Sequence, residues 1–283
     1  MKKIAVLAGL CAAALAQAPR KPAPLPEGVE KKADVVYATR GAHQLRLDLY
    51  LPRQSGAPMP AVVYIHGGGW KNGSKNAFSG QAGYMATRGF VGACIEYRLS
   101  REAKYPAALE DSVAAVKWLR EHAREYNIDP ARIGAAGGSA GGHLVAMLGT
   151  MKPPVVQAVA AFNPAVDLVS FGKRAPTDAV NAVTEFLGAS YESNPKLWAE
   201  ATPLTHAGKG SAPFLFLHGD ADTTVPIQQS IDMVARLKAG GVPADLFVAK
   251  GAKHGFFNQE PWYEPTKKRM EEFFTKYLAP RTS

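Results

Sequence analysis

Short apolar runs alternate along the chain with longer segments in which apolar positions recur every three or four residues. Near the N-terminus, "VVYATR" and "HQLRLDLYLP" alternate apolar with polar positions, which is typical of half-exposed antiparallel strands. "AVVYIHG" and "FVGACIEY" are continuously apolar, as strands buried on both faces are. Further strand candidates are "RIGAAGG", "VVQAVAAF", "PFLFLHG" and "ADLFVAK".

Helical periodicity occupies the stretches between these strands. Strands that alternate with helices predict an α/β fold, with a mostly parallel sheet flanked by helices and an antiparallel N-terminal edge. The segment from about 166 to 210 contains no strong strand, so we expect a small cap inserted there. The helical segments are "PAALEDSVAAVKWLREHA", "SAGGHLVAMLGTM", "PIQQSIDMVARLKAGG" and "TKKRMEEFFTKYLA".

The N-terminal segment has the layout of a cleaved secretory signal. Lys2 and Lys3 precede an apolar run from Ile4 to Ala16 that ends in Ala-Leu-Ala. The run is shorter than the roughly 20 residues of a membrane span, so we expect no stable membrane insertion. We predict a signal peptide over residues 1–16 and export to the periplasm or the medium. A Pro-rich leader then covers 17–30, and a single domain covers 31–283.

The two cysteines offer little chemistry. Leu10 precedes Cys11, where a lipoprotein signal needs a small residue, so lipidation of Cys11 is only a minor alternative to plain cleavage. After cleavage Cys94 is the one cysteine left, which excludes an internal disulfide. Its apolar surroundings indicate a buried, inert thiol.

Composition excludes several function classes. The 283 residues are 47% hydrophobic and 20% charged, which favours a globular chain over a disordered one. Lys and Arg outnumber Asp and Glu by 33 to 24, but they are dispersed, so no nucleic-acid partner is expected. The sequence has no HExxH, no CxxC and no dinucleotide or Walker glycine pattern, and we predict neither a metal nor a cofactor.

The glycine-rich stretch "GAAGGSAGGH", residues 134–143, lies between a strand pattern and a helix pattern. A flexible linker would have polar, low-complexity flanks, and these flanks are apolar. Within the stretch, G-x-S-x-G centres on Ser139, the spacing of a nucleophile elbow, which lifts a serine hydroxyl above the sheet edge. The following helix directs its positive end towards that hydroxyl.

A second glycine motif, "HGGGW", follows the buried strand "VVYI". Consecutive glycines after a strand let the backbone approach a substrate and turn its N–H groups towards an oxyanion. We expect His66, which opens the motif, to hold this loop by hydrogen bonds and not to act as a base.

A serine nucleophile needs a base, and the base needs a carboxylate. His254 lies in a loop after a late strand, whereas the other six histidines fit the role less well by position. Asp220 and Asp222 both follow "FLFLHG". Asp220 directly follows Gly219 at the strand end, where bonding to the backbone of its own turn is expected, whereas Asp222 lies further out.

The motifs "HGGGW", "GGSAGG", "HGDADTTVP" and "AKHGF" together resemble those of α/β-hydrolase esterases related to hormone-sensitive lipase. The resemblance covers roughly residues 30–280 and is greatest to bacterial carboxylesterases and feruloyl- or acetyl-esterase-like proteins. It implies a serine carboxylesterase of the α/β-hydrolase fold, acting on small-molecule or polysaccharide-linked esters. The absence of a long apolar lid segment predicts a preference for short acyl chains. Export and the single-domain build suit acetyl or feruloyl esters of plant polysaccharide. The catalytic domain is then residues 31–283.

The resemblance also assigns roles to individual residues. Ser139 is the expected nucleophile, His254 the general base and acid, and Asp222 the orienting carboxylate. The expected oxyanion hole consists of the backbone N–H groups of Gly67, Gly68 and Ala140. The lipase branch typically carries Asp-Pro-Leu at the acid, whereas this chain has Asp-Ala-Asp-Thr-Thr-Val-Pro, as peptidase-like and feruloyl-esterase-like branches do.

Three other functions share this scaffold. A serine exopeptidase or amidase is the main alternative, but such enzymes usually add a domain or residues that grip a peptide terminus. A true lipase needs a large apolar lid, and residues 166–210 are short and mixed in polarity. A non-catalytic binder of the gibberellin-receptor type typically lacks a triad member, and none is missing here.

Overall fold

The computed structural model describes residues 24–53 and 56–280. Its centre is an eight-stranded sheet with the order β1-β2-β4-β3-β5-β6-β7-β8. The strands are β1 (Val29–Arg40), β2 (His43–Pro52), β3 (Met59–Ile65), β4 (Val91–Ile95), β5 (Ile128–Gly138), β6 (Val159–Phe162), β7 (Phe214–Gly219) and β8 (Ala244–Ala249).

Strand direction in the sheet follows the hydrophobic pattern. β1 and β2 pair antiparallel, β2 also pairs antiparallel with β4, and every pair from β4 to β8 is parallel. β4 is buried along its whole length, whereas β1 is largely exposed, as the continuous and alternating patterns predict. The predicted fold class, a mostly parallel α/β sheet with an antiparallel N-terminal edge, is confirmed.

Helices cover both faces of the sheet, and each face has its own apolar cluster. Residues of α1 and α9 pack in one cluster, and residues of α2, α3, α5 and α8 pack in the other. The helices are α1 (Ser79–Ala86), α2 (Ala107–Glu121), α3 (Ala140–Thr150), α4 (Leu168–Gly172), α5 (Asp178–Leu187), α6 (Pro195–Glu200), α7 (Pro203–His206), α8 (Gln228–Ala239) and α9 (Tyr263–Tyr277).

The structure corrects some predicted boundaries. β1 begins at Val29, two residues inside the predicted leader, and β6 starts only at Val159. Helix α1 has no counterpart in the predicted pattern. Its sequence "SGQAGYMA" carries two glycines and little amphipathic contrast, so packing forms it: Ala82 and Met85 are fully buried.

The segment predicted as a cap connects β6 to β7 through the four short helices α4 to α7. Side-chain caps begin three of them: Asp167, Thr177 and Asn194 each accept a hydrogen bond from a backbone N–H of the first turn. Gly188, in the left-handed region, ends α5.

The predicted signal peptide, residues 1–16, lies outside the described residues. Over residues 24–53 and 56–280, none of the helices has the length and apolar character needed to cross a bilayer.

Candidate active site

The parallel strands bring the predicted site together at one edge of the sheet. β3, β5, β6, β7 and β8 run in the same direction, so the loops after their carboxyl ends are neighbours. These loops carry the glycine motif after β3, the serine after β5, an aspartate after β7 and a histidine after β8. Clefts for ligands form at such edges in open α/β sheets.

Ser139 occupies the turn between β5 and α3 with φ 54° and ψ −117°. This region is unfavourable for a side-chain-bearing residue, and its occupation indicates a strained turn. A Cβ on Gly141 would lie 2.0 Å from the carbonyl oxygen of Ile65, and a Cβ on Gly137 would lie 2.5 Å from that of Gly141. Both flanking glycines are therefore required by space.

The three residues predicted as nucleophile, base and acid form one hydrogen-bonded chain. Nε2 of His254 lies 2.9 Å from Oγ of Ser139, and Nδ1 lies 2.7 Å from Oδ2 of Asp222. The Asp222 carboxylate is fully buried, whereas the His254 side chain is 25% exposed. The serine end of this series of hydrogen bonds is thus accessible to solvent, and the carboxylate end is not.

Asp222 is held by donors on both of its oxygens. Oδ1 accepts from the backbone N–H groups of Thr224 and Val225, each at 2.9 Å. Oδ2 faces His254 and, at 3.4 Å, Nε2 of His218. Burial alone would raise the pKa of Asp222, but the hydrogen bonds from the two histidines, the His254 charge and the Val225 N–H outweigh it. They hold the pKa of Asp222 well below its usual range.

An ionised Asp222 determines the tautomer of His254. A carboxylate can only accept, so Nδ1 of His254 carries the hydrogen that faces Oδ2. Nε2 then has its lone pair directed to the Ser139 hydroxyl, which is the geometry that a general base requires.

His218 supports Asp222 from the opposite side, and sequence reasoning missed it. Its ring is fully buried, with Nε2 2.8 Å from the carbonyl oxygen of Val225 and Nδ1 2.7 Å from Oγ of Ser230. Since a carbonyl oxygen only accepts, Nε2 carries the hydrogen and the Ser230 hydroxyl donates to Nδ1. The sequence signal that could have identified it is the motif "HGDAD", in which His218 precedes Asp222 by four residues.

Asp220 does bond a backbone N–H group, as predicted, but that group belongs to another loop and not to its own turn. Oδ1 of Asp220 accepts from the backbone N–H of Gly251 at 2.6 Å, in the loop after β8, and Oδ2 lies 3.3 Å from Nζ of Lys250. These contacts and the Lys250 charge lower its pKa. Asp222 instead bonds the backbone of its own turn, because its side chain points inward, where Thr224 and Val225 present their N–H groups.

The glycine loop predicted for the oxyanion hole touches the turn that carries the serine. A Cβ on Gly67 would be 2.7 Å from the carbonyl oxygen of Gly138 and 3.2 Å from Cβ of Ser139, so the two loops touch. Gly68, exposed and with φ +112°, is the next residue of the glycine loop. Ala140 is the first residue of α3, where backbone N–H groups have no intrahelical acceptor.

Buried histidines hold the glycine loop. Nδ1 of His66 lies 2.8 Å from the carbonyl oxygen of Gly67, and the ring stacks on Tyr97 at 4.3 Å. Nε1 of Trp70 donates to Nδ1 of His143, whose Nε2 lies 2.7 Å from the carbonyl oxygen of Ala201. Burial lowers the pKa of His66 and of His143 to about 4, so both rings stay neutral at pH 7.

The cap contacts the same loop. Trp70 stacks on Phe186 of α5 with ring centroids 4.6 Å apart, and a Cβ on Gly69 would lie 3.4 Å from Cβ of Ala182. Helix α5 therefore borders the glycine loop and one side of the site.

Asn163 is a second residue that sequence reasoning missed. It directly follows β6, is fully buried and has φ 35°. Its Nδ2 lies 3.3 Å from Nε2 of His254. A polar residue after a short buried strand, at the edge where the other site loops meet, was the available signal.

Within the described parts of the chain, no group of three or more His, Cys, Asp and Glu is placed to hold a metal ion. Cys94 is fully buried in β4, and burial raises the pKa of its thiol well above its usual range. Its thiol is thus not the nucleophile of this site.

Comparison with known proteins supports an esterase scaffold. The BD-FAE family matches residues 47–237. Esterase LipC of Mycobacterium tuberculosis is 30% identical over 70% of this chain, but the chain spans only about half of that relative, 53%.

Solved structures match over nearly the whole chain. Esterase 2 of the Planctomycetes species Thermogutta terrifontis with propionate bound is 32% identical, with a TM-score of 0.76 over 92% of this chain and 99% of that chain. The same esterase phosphonylated by sarin is 31% identical, with a TM-score of 0.78 over 93% of this chain and 100% of that chain.

Proposed function

The chain belongs to the BD-FAE family of α/β-hydrolase esterases, and we propose that it is a serine carboxylesterase that hydrolyses short-chain acyl esters through an acyl-enzyme. The observation that carries the proposal is the chain of hydrogen bonds from Ser139 through His254 to the buried Asp222, at 2.9 and 2.7 Å. This is the arrangement of nucleophile, base and orienting acid that acyl transfer requires.

In the first half-reaction, Nε2 of His254 takes the proton of the Ser139 hydroxyl while Oγ attacks the ester carbonyl carbon. The imidazolium that forms is stabilised by the ionised Asp222. His254 then gives the proton to the leaving alcohol oxygen, and the C–O bond of the ester breaks. The acyl group is left on Ser139.

In the second half-reaction, His254 takes a proton from a water molecule that attacks the acyl carbon. The proton returns to Oγ of Ser139 as the carboxylic acid leaves. In this proposal the oxyanion of each tetrahedral intermediate is bound by the backbone N–H groups of Gly67, Gly68 and Ala140, which is supported by the contact of the Gly67 loop with the serine turn and by the position of Ala140 in the first turn of α3. Removing one donor of such a site costs about 100- to 1000-fold in kcat in other serine hydrolases.

Short acyl chains are the preferred substrates in this proposal. Propionate is the ligand of the Thermogutta terrifontis esterase described above, which matches this chain over 92% of its length. The cap side also favours a small site, since Phe186 and Ala182 of α5 lie directly against the glycine loop. Acetyl esters of plant polysaccharide are the natural substrates we infer from this short-chain preference and the predicted export, and feruloyl esters, whose acyl group is larger and aromatic, are the alternative that the family suggests.

Export rests on the N-terminal pattern alone. Lys2, Lys3, the apolar run and Ala-Leu-Ala support a signal that is cleaved after Ala16. N-terminal sequencing of protein from the native host should give Gln17 as the first residue. An intact Met1 on cytosolic protein would contradict export, and a lipid on Cys11 would favour the lipoprotein alternative.

The function is tested by substitution of the serine. Ser139→Ala should retain the wild-type circular dichroism spectrum and lose several orders of magnitude in hydrolysis of p-nitrophenyl acetate. Aminoacyl anilides, tested in parallel, should be cleaved far more slowly than esters. Faster anilide cleavage would favour the amidase alternative, and more than a few per cent of residual ester hydrolysis in Ser139→Ala would exclude Ser139 as nucleophile.

A further inference from the structure

Asn163 stands out because its position is costly and its neighbour is the reactive nitrogen of the base. The residue has no exposed surface, and its backbone has φ 35°, in the left-handed region that disfavours side-chain-bearing residues. Its backbone N–H donates to the carbonyl oxygen of Leu217 at 2.8 Å, which ties it to β7. Strain of this kind persists where the surroundings impose it, and it concentrates at functional sites.

The carboxamide of Asn163 has a single hydrogen-bond partner among the described residues. Nδ2 lies 3.3 Å from Nε2 of His254, whereas Oδ1 is buried and has no partner in that part of the chain. A buried amide oxygen without a donor is rare and calls for a physical reason. Its one hydrogen-bond partner in that part of the chain is the atom that gains and loses the proton during acyl transfer.

The NH₂ and oxygen ends of the Asn163 amide are complementary to the two protonation states of Nε2 of His254. Neutral Nε2 is an acceptor, so an N–H group must face it, as Nδ2 does. Protonated Nε2 is a donor, so an oxygen must face it. Because the NH₂ and oxygen ends are nearly equal in size, rotation about the terminal side-chain bond exchanges them without a clash, and no second partner opposes the rotation.

The two contacts differ in strength. In the neutral state the lone pair of Nε2 is already directed to the Ser139 hydroxyl, which is closer at 2.9 Å. In the protonated state the amide oxygen faces a cation, and hydrogen bonds to ionised groups are roughly twice as strong as neutral ones. The amide thus favours the imidazolium over the imidazole.

We propose that Asn163 stabilises the imidazolium of His254 during ester hydrolysis, its unpartnered amide oxygen turning to face the protonated Nε2. This inference rests on the function proposed above. Asn163 itself exchanges no proton: the proton passes from Oγ of Ser139 to Nε2 and on to the leaving oxygen, and the amide only follows it.

The charges around His254 come from two places. Asp222 faces it from the loop after β7, with the His218 ring on the other side of that carboxylate, and Lys253 is exposed beside it on its own loop. The neighbouring elbow and the end of β6 present Ser139 and Asn163, which are uncharged. Asn163 is therefore the uncharged group through which the protonation of Nε2 can be changed without disturbing Asp222.

The test uses two substitutions with opposite expected effects. Asn163→Leu keeps the size and removes the acceptor, so the acidic limb of the kcat/KM–pH profile should move about half a pH unit down, and kcat should fall about threefold, because both changes report the same lost stabilisation of the imidazolium. Asn163→Asp places a carboxylate beside Nε2, so the limb should move about one to three pH units up. A residue that only fills space would move the limb in neither variant.

The control for lost stability is Leu215→Ala, a cavity-forming change in the adjacent strand β7, away from the site. It should lower the urea midpoint and leave the limb in place. If the limb is unmoved in both Asn163 variants, or moves in the same direction in both, the inference is overturned.

A readout without turnover separates this inference from the proposed function. In a Ser139→Ala background, the ¹⁵N chemical shift of Nε2 of His254 is followed with pH in full-length protein. Its midpoint should move down with Asn163→Leu and up with Asn163→Asp. These shifts without any wild-type ester hydrolysis would refute the function and uphold the contact, whereas wild-type hydrolysis with unmoved midpoints would refute the contact alone.

Discussion

Replacement of Asp222 by asparagine should inactivate the enzyme for a reason that the structure specifies at the level of single atoms. Two backbone N–H groups, of Thr224 and Val225, point at Oδ1, each at 2.9 Å. An asparagine side chain must direct its oxygen to these two donors, because its NH₂ group cannot accept them. Its NH₂ group then faces Nδ1 of His254, where the carboxylate oxygen was at 2.7 Å.

A donor at that position reverses the tautomer of His254. Nδ1 must accept from the NH₂ group, so the ring hydrogen moves to Nε2, and the lone pair that takes the Ser139 proton is lost. The same substitution in a serine protease lowers kcat about 10⁴-fold, which corresponds to about 5.4 kcal/mol of transition-state stabilisation. We expect a loss of that size in kcat on p-nitrophenyl acetate.

The measurement compares Asp222→Asn with Asp220→Asn, which lies two residues away in the same loop. Asparagine at 220 can still accept from the N–H of Gly251, so this control should keep turnover within about twofold of wild type. Circular dichroism must show both variants folded. If Asp220→Asn abolishes turnover while Asp222→Asn does not, the assignment of the acid is reversed and the tautomer argument fails.

Three further predictions follow from the site and its supports. Gly67→Ala should lower kcat about 100- to 1000-fold with the fold retained, because the new Cβ would lie 2.7 Å from the carbonyl oxygen of Gly138 and displace the oxyanion-binding loop. An unchanged kcat would show that Gly67 does not bind the oxyanion. Asp111→Ala should lower the free energy of unfolding, measured in urea, by about 3–5 kcal/mol. Arg98 is bonded to the buried Asp111 carboxylate at 2.8 and 2.9 Å and would lose that partner. A loss under about 1 kcal/mol would contradict this. The pKa of Asp222 is depressed in the folded state, so its contribution to stability should be complete above about pH 4 and lost as pH falls below that. The urea midpoints of wild type and Asp222→Asn should therefore converge in acid. A difference between the two midpoints that grows in acid would contradict this.

The elements whose patterns are long or purely apolar could be predicted from the sequence, and the elements formed by packing could not. β4 reads as a continuous apolar run because both of its faces are covered, and the N-terminal pair alternates because one face meets water. Helix α1 has no such pattern, because its two glycines and Ala82 are small residues that allow the helix to pack closely against its neighbours. The Cβ position of Gly92 on β4 lies only 2.9 Å from Cβ of Ala82, a contact that no local pattern encodes.

The same distinction holds for the site. Ser139 and His254 each lie after a strand in a motif with required spacing, and the sheet brings those loops together. His218 contacts Asp222 and Asn163 contacts His254, but these roles depend on which way their side chains turn in three dimensions. Asp220 shows the converse: its place in the chain suggested its own turn as partner, and the structure gives it Gly251, 31 residues later.

The most direct test of the central claim is covalent labelling by a p-nitrophenyl phosphonate, followed by intact-mass and peptide-mass spectrometry. The esterase phosphonylated by sarin, which matches this chain over 93% of its length, makes an organophosphorus reagent the natural probe. We predict one phosphonyl group per chain, on the peptide that contains Ser139, with ester hydrolysis lost in proportion to labelling and no label in Ser139→Ala. Labelling at another residue, or full labelling with hydrolysis retained, would contradict the assignment of Ser139 as the nucleophile.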